Sequence, residues 1–215
     1  MKTLLFAPHP DDEIISCGGY LAKSIRRKNL VDIVYLTSSS PIRELEINKI
    51  KQFMGFNNVY LFNQEDRMLK TDNKLLKKLL KTIRDSKPDQ IIIPHKNESD
   101  RDHKILSEIL LDCVYLADSN FLLEKSDKPF RIKSILGYEV WTPISLPQLY
   151  IDITEFMQIK REAMKLYSSQ LEQKDFISMF EGLNKFRSII SGGNGFSEAF
   201  EIYKIDETFY GEGVK

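Results

Sequence analysis

The stretch LLFAPHPDDEIISCGGYLA, residues 4–22, decides the fold of this chain. Its apolar run ends at a proline, and His9, Asp11, Asp12 and Glu13 follow directly. A short β-rich run, a polar turn and then a helical pattern are typical of the first half of a βαβ unit. The chain has only 3 histidines. A histidine beside adjacent carboxylates at the end of the first strand therefore needs a chemical explanation.

Short β-rich runs alternate with helical patterns along the rest of the chain. We predict strands at residues 3–6, 31–37, 58–62, 90–94, 135–141, 149–154 and 197–205, and helices at 14–29, 43–54, 75–83, 103–117, 155–170 and 175–189. The first four strand–helix units predict a parallel sheet with helices on both faces. The later elements follow without a linker or a repeat, so we expect an appended C-terminal α/β portion of one domain, residues 1–215.

The composition argues against several classes of partner. The 215 residues carry 31 basic and 31 acidic side chains, and this balance does not favour nucleic acid or an anionic membrane. No window approaches the ~20 apolar residues that span a bilayer. The 2 cysteines fit a reducing compartment better than a disulfide framework. We therefore expect a cytoplasmic protein without stable membrane insertion, whose oligomeric state stays open.

Two loops at the carboxyl ends of the predicted strands hold all the histidines. Open α/β sheets place their chemistry beyond these strand ends. His9 and Asp12, three residues apart on a turn, can converge on one ion, and His103 at the start of the fourth helix is a plausible third ligand. Two histidines and one carboxylate leave a position for water, as catalytic zinc sites do. Asp11 could then take a proton from the zinc-bound water.

A structural interpretation of the acidic run stands beside the metal site. Carboxylates before a helix cap its amides and complement the positive end of its dipole. That interpretation suits Glu13 and explains Asp12, but it does not explain His9. The residues alone leave both interpretations open.

The opening motif resembles that of a known family. Ala7-Pro8-His9-Pro10-Asp11-Asp12-Glu13, with Gly18-Gly19 in the first helix, is similar to the Ala-His-Pro-Asp-Asp-Glu motif of the LmbE-like, or PIG-L, superfamily of zinc-dependent N-acetylglucosaminyl deacetylases. Weaker likenesses follow at Arg43-Glu44, residues 66–69, residues 150–154 and residues 196–200.

The resemblance implies a Rossmann-like, mostly parallel sheet and a hydrolytic site. It implies that His9, Asp12 and His103 hold Zn²⁺, or another divalent metal, and that Asp11 is the catalytic base. The implied reaction removes the N-acetyl group from an amino sugar or its conjugate and releases acetate and a free amine.

One position departs from the family pattern. The family commonly has His-Pro-Asp-His before its third ligand, whereas this chain has Asp100-Arg101-Asp102-His103. The resemblance implies that Asp102 orients the group that stabilises the oxyanion, but an ionised Asp100 would repel the developing charge. Three alternatives stay open: His95 moves in as a catalytic group, Arg101 supplies positive charge, or the metal acts alone. We rank His95 first.

Further polar residues are candidates for substrate contacts. Arg43 could meet a sugar hydroxyl or a phosphate, and Asp66 could bind substrate hydroxyls; Asp100 and Arg101 complete this set. Each also has a structural alternative, as a solvated helix-start cation or a loop cap.

Two alternatives to the amino-sugar deacetylase stay open. One keeps the metal but changes the substrate to a non-sugar or antibiotic-like amide. The other is a degenerate sugar-binding protein with little activity. Binding alone would not need a carboxylate placed to take a proton beside the metal ligands.

Overall fold

The first strand lies near the middle of one seven-stranded sheet. In the computed structural model, which describes residues 1–38, 40–123 and 128–206, the strand order is β3-β2-β1-β4-β5-β7-β6. The strands are β1 (Lys2–Ala7), β2 (Leu30–Thr37), β3 (Asn58–Gln64), β4 (Gln90–Pro94), β5 (Ser134–Tyr138), β6 (Leu149–Asp152) and β7 (Ser197–Ile205). All neighbours from β3 to β5 pair in parallel, and β7 runs antiparallel to β5 and β6. The predicted mostly parallel α/β sheet is confirmed.

Helices cover both faces of this sheet. They are α1 (Asp12–Arg26), α2 (Pro41–Met54), α3 (Asn73–Ser86), α4 (Arg101–Ala117), α5 (Met157–Lys165), α6 (Ser168–Leu171) and α7 (Phe176–Ile190), with a 3₁₀ turn at Thr154–Phe156. The side chains of β1 alternate: Leu5 enters the core beneath α1, α2, α5 and α7, while Leu4 and Phe6 enter the core beneath α3 and α4. This two-residue period buries both faces of the strand.

The chain reverses its direction of growth across the sheet between β1 and β4. It builds β2 and β3 on one side of β1 and then returns to place β4 on the other side. In open α/β sheets the crevice at such a switch point is the usual ligand site. The loops that follow β1 and β4 therefore meet there.

The predicted helix at residues 155–170 is wrong as one continuous element. The structure divides it into the 3₁₀ turn, α5 and α6, and the break between α5 and α6 contains Tyr167, with φ −88° and ψ 54°. The fully buried Tyr167 turns its hydroxyl toward Glu13 at 2.8 Å. A buried hydrogen bond and aromatic packing thus override the local helical pattern.

The predicted C-terminal α/β portion adds to the same sheet, through β5, β7 and β6. No helix in the part of the chain that the structure describes has the length and hydropathy needed to cross a membrane.

Candidate metal centre and active site

His9, Asp12 and His103 meet at the switch point between β1 and β4. One potential ligand atom of each lies within 4.8 Å of the others. Asp12 Oδ2 lies 3.2 Å from His9 Nδ1 and 3.2 Å from His103 Nε2. The backbone nitrogen of His9 donates to the same Asp12 oxygen at 2.8 Å, which fixes the carboxylate between the two rings.

His103 tests whether these residues suit a metal ion. Its side chain is fully buried, yet neither ring nitrogen has a hydrogen-bond partner with good geometry among the described residues. Buried polar atoms in native proteins almost always have partners. Nitrogen and carboxylate donors in a two-histidine, one-carboxylate set are those that Zn²⁺ and related divalent ions prefer. The residues therefore fit a divalent metal.

Two further carboxylates face the other ring nitrogen of His9. Its Nε2 lies 3.0 Å from Asp66 Oδ1 and 3.5 Å from Asp102 Oδ2. Burial lowers the pKa of His9, but the bonds to Asp102, Asp12 and Asp66 outweigh it and raise the pKa to about 12. The converging carboxylates thus favour positive charge at this place, either on the imidazole or on a bound cation.

Asp11 lies beside the cluster in an unusual backbone conformation. Its φ is 119°, a region that non-glycine residues rarely adopt and that costs of order 1–3 kcal/mol. The residue is 5% exposed, and Oδ2 lies 3.5 Å from Arg43 Nη2. Burial, and then the neighbouring Asp12 charge, raise the pKa of Asp11 well above its usual range, although Arg43 opposes the shift. A carboxyl poised in this way suits proton transfer.

Glu13 does not line the pocket but holds the backbone of Asp11 through a buried hydrogen bond. Its Oε2 accepts a hydrogen bond from the Asp11 nitrogen at 3.1 Å, and its Oε1 accepts one from the Tyr167 hydroxyl at 2.8 Å. The hydroxyls of Tyr35 and Tyr167 lie 3.1 Å apart. Burial raises the pKa of Glu13 to about 7. Sequence reasoning missed this network because β2 and the α5–α6 break supply its tyrosines.

The acidic run complements the dipole of α1 but does not cap this helix through Asp11. The side chain of Asp11, at the N-cap position of α1, makes no capping hydrogen bond. Asp12 and Glu13 do lie in the first turn of α1, where negative charge is favourable, but both carboxylates also have specific partners.

The substituted position Asp100 is the N-cap of α4. Its Oδ1 accepts hydrogen bonds from the nitrogens of Asp102 at 2.8 Å and His103 at 3.3 Å. Asp100 also lines the pocket. Asp102 Oδ2 accepts from the backbone nitrogen of Arg67 at 2.8 Å, in addition to facing His9.

The structure does not bring His95 or Arg101 into the pocket. His95 N donates to Tyr138 O at 2.8 Å in continuation of the β4–β5 pairing, and its ring is 1% exposed with Nε2 2.7 Å from Thr142 O. The exposed Arg101 donates from Nη1 to Arg67 O at 2.9 Å. Neither lines the pocket, so the expectation that His95 replaces the oxyanion histidine does not fit this geometry. Its nitrogen is already engaged by a backbone carbonyl.

Arg43 and Asp66 both line the pocket. Arg43 extends from the first turn of α2, and its Nη1 is buried without a hydrogen-bond partner among the described residues, 3.6 Å from Glu46 Oε2. The pocket encloses about 470 Å³. Its lining includes residues of the metal cluster, the loop after β5 and the segment around α6, with Trp141, Gln170, Gln173, Lys174 and Phe176.

Comparison with known proteins supports the resemblance in the opening motif. Residues 4–114 match the family described as PIG-L: GlcNAc-PI de-N-acetylase. A glucosamine-6-phosphate deaminase-like protein of Bacteroides thetaiotaomicron is 32% identical over 90 residues, which is 41% of this chain but only 13% of that protein. Diacetylchitobiose deacetylase of Thermococcus kodakarensis is 23% identical over 197 residues, 80% of this chain and 71% of that protein.

Solved structures show the same fold. N,N′-diacetylchitobiose deacetylase from Pyrococcus horikoshii superposes with a TM-score of 0.82 at 24% identity, over 96% of this chain and 86% of that one. GalB, the 4-carboxy-2-hydroxymuconate hydratase from Pseudomonas putida, superposes with a TM-score of 0.85 at 16% identity, over 100% of both chains. Because one of these folds carries a hydratase, the reaction has to be argued from the site.

Proposed function

Because the chain belongs to the PIG-L family, we propose that it is a divalent-metal-dependent deacetylase of an N-acetylglucosamine-type amino sugar or conjugate. The observation that carries this proposal is the cluster of His9, Asp12 and the buried His103, whose ring nitrogens make no well-directed hydrogen bond to the described residues, with the Asp11 carboxyl next to them. The diacetylchitobiose deacetylases among its relatives support the substrate class.

His9, Asp12 and His103 would hold the metal. When bound, a divalent ion at this place lowers the pKa of water and polarises the amide carbonyl. Asp66 and Asp102 face Nε2 of His9 and orient the ring, while Nδ1 faces the Asp12 oxygen that would bind the same ion. Zinc suits the nitrogen and carboxylate donors, and the same set also accepts other first-row divalent ions.

Asp11 performs the proton transfers in this proposal. Its carboxylate takes a proton from the attacking water, and its protonated form returns the proton to the amine nitrogen as the C–N bond breaks. Arg43, 3.5 Å from Asp11 Oδ2, opposes the pKa rise caused by burial and keeps the ionised form available. Arg43 also lines the pocket, where its guanidinium would contact a substrate oxygen.

Acetate release is the direct test. Purified protein is stripped with a chelator, reloaded with Zn²⁺, and assayed on N-acetylglucosamine, N,N′-diacetylchitobiose and a set of non-sugar acetamides. We expect turnover on the sugars, loss on chelation, and a kcat lower by about 10²–10⁴-fold in Asp11→Asn.

The matched control is Asp112→Asn, an exposed carboxylate on α4, which should keep full activity. Turnover on the non-sugar amides alone would show that the substrate is a non-sugar amide rather than an amino sugar. Sugar binding with no acetate release from any substrate would support the degenerate binding protein instead.

A further inference from the structure

We infer that Trp141 forms the aromatic wall of a second sugar subsite, so that a saccharide of two or more rings fits this pocket better than a single amino sugar. The inference rests on the proposed function for the identity of the ring that carries the acetamide. It goes beyond that function in assigning the substrate's next ring to residues outside the metal centre.

Trp141 follows β5 and lines the same pocket as the metal cluster. The residue is 37% exposed, whereas tryptophan is highly buried on average. Its ring contacts the buried Phe176 edge to face, with centroids 5.9 Å apart, and Lys174 Nζ lies 4.7 Å from its centroid. Phe176 thus holds the ring and Lys174 lies over one of its faces, and in this inference the apolar C–H side of a pyranose packs on the part of the ring that stays exposed.

The backbone around Trp141 is held by one buried carboxylate. Glu98 is fully buried, and its Oε1 accepts hydrogen bonds from the nitrogens of Val140 at 2.7 Å, Trp141 at 2.9 Å and Thr142 at 3.2 Å. Consecutive backbone N–H groups that converge on an anion form a fixed turn. The turn is therefore set before any ligand arrives, which lowers the entropy lost on binding.

His95 closes the same turn from the other side. Its Nε2 lies 2.7 Å from Thr142 O, and because a carbonyl can only accept, this nitrogen carries the proton. His95 and Glu98 are thus positioning residues for Trp141. This assignment explains why a histidine follows β4 and yet does not line the pocket.

Polar side chains flank the tryptophan. Gln170, Gln173 and Lys174 line the same pocket, and Lys174 contacts the tryptophan ring; their amide and ammonium groups suit sugar hydroxyls. An apolar platform with a few polar groups around it is typical of sites that bind sugars and other amphipathic ligands.

Substrate length gives the kinetic test. The zinc-loaded wild type, Trp141→Ala and Trp141→Phe are compared on N-acetylglucosamine and N,N′-diacetylchitobiose. We expect Trp141→Ala to raise KM for the disaccharide by roughly 10-fold to 50-fold. The increase in KM for the monosaccharide should be several-fold smaller. Trp141→Phe should recover most of the disaccharide affinity. Equal losses on the two substrates, or no loss on either, would overturn the inference.

His95 variants separate positioning from catalysis. His95→Ala should raise KM for the disaccharide with little change in kcat, and His95→Gln, which keeps an N–H donor for Thr142 O, should restore it. A fall in kcat on both substrates, without recovery in His95→Gln, would instead favour the oxyanion role and overturn the positioning role.

Fluorescence tests the subsite without relying on turnover. Trp141 is the only tryptophan in the sequence, so emission excited at a wavelength that tyrosine does not absorb reports on this side chain alone. In zinc-loaded Asp11→Asn protein, N,N′-diacetylchitobiose should shift or quench the emission in a saturable way, and N-acetylglucosamine should do so more weakly. A saturable change without acetate release from the wild type would keep the subsite and reject the deacetylase. Unchanged emission at saturating disaccharide would reject the subsite.

Discussion

The carboxylate of Glu13 holds the backbone of Asp11, because its Oε2 accepts the Asp11 N–H at 3.1 Å. Asp11 has a φ of 119°, a conformation that persists only when surrounding groups impose it. The other Glu13 oxygen is fixed by the Tyr167 hydroxyl at 2.8 Å. The orientation of the proposed base therefore depends on a buried network that starts two residues along the chain.

Glu13→Ala should damage both activity and stability. The change leaves the buried Asp11 N–H without its acceptor, at about 1–3 kcal/mol, and removes one of the two hydrogen-bond partners of the Tyr167 hydroxyl. We expect kcat for acetate release to fall by at least about 10-fold, and the free energy of unfolding to fall by a few kcal/mol. Urea denaturation and steady-state kinetics measure the two effects. Glu155→Gln, an exposed glutamate, is the control, and an unchanged kcat in Glu13→Ala would show that Asp11 does not need this support.

Glu13 should also give the metal-free protein a pH-dependent stability. Burial raises its pKa from an ordinary value of 4.5 to about 7, so the folded state binds the proton more tightly than the unfolded state. The resulting stabilisation is complete below pH 4.5 and is lost as the pH rises through 7. From pH 5 to pH 8, wild type should lose up to about 3 kcal/mol relative to Glu13→Gln. Denaturant titrations in chelator at several pH values measure this difference, and parallel curves for the two proteins would contradict it.

Divalent metal should stabilise the folded protein through His103. An ion that binds only the native state adds about 2.7 kcal/mol when its concentration is 100 times its dissociation constant. We expect Zn²⁺ to raise the melting temperature of chelator-stripped wild type and to have little effect on His103→Ala. Cys113→Ala, a buried change in the same helix, controls for packing loss in α4. A normal Zn²⁺ shift in His103→Ala would remove this residue from the metal site.

The sequence predicts the strands and most of the helices because these elements depend on local patterns. All seven predicted strands occur, and β4 has the predicted bounds, since apolar β-rich runs between polar turns are strong signals. His9, Asp12 and His103 could be grouped because the carboxyl ends of neighbouring parallel strands meet at one edge.

Groups that act at long range could not be predicted in this way. Tyr167 lies in a helical pattern, and only its hydrogen bond to a buried carboxylate 154 residues away explains the break in the helix. A histidine in the loop after β4 favours a catalytic role for His95. Its actual partner, Thr142 O, lies on a different loop, and the sequence has no pattern that links the two.

Asp100 should matter first as a helix cap. Its carboxylate accepts from the Asp102 and His103 nitrogens, and loss of such a cap costs typically about 1 kcal/mol. We expect Asp100→Ala to lower the free energy of unfolding by about that amount, and Asp100→Asn, which keeps the cap oxygen, to change it by less than about 0.5 kcal/mol.

Because Asp100→Asn also removes a negative charge from the pocket wall, it should raise kcat for acetate release if that charge opposes the developing oxyanion. Denaturant melts and kinetics on both variants separate the two effects, and a kcat for Asp100→Asn at or below that of wild type would show that the Asp100 charge does not limit the reaction.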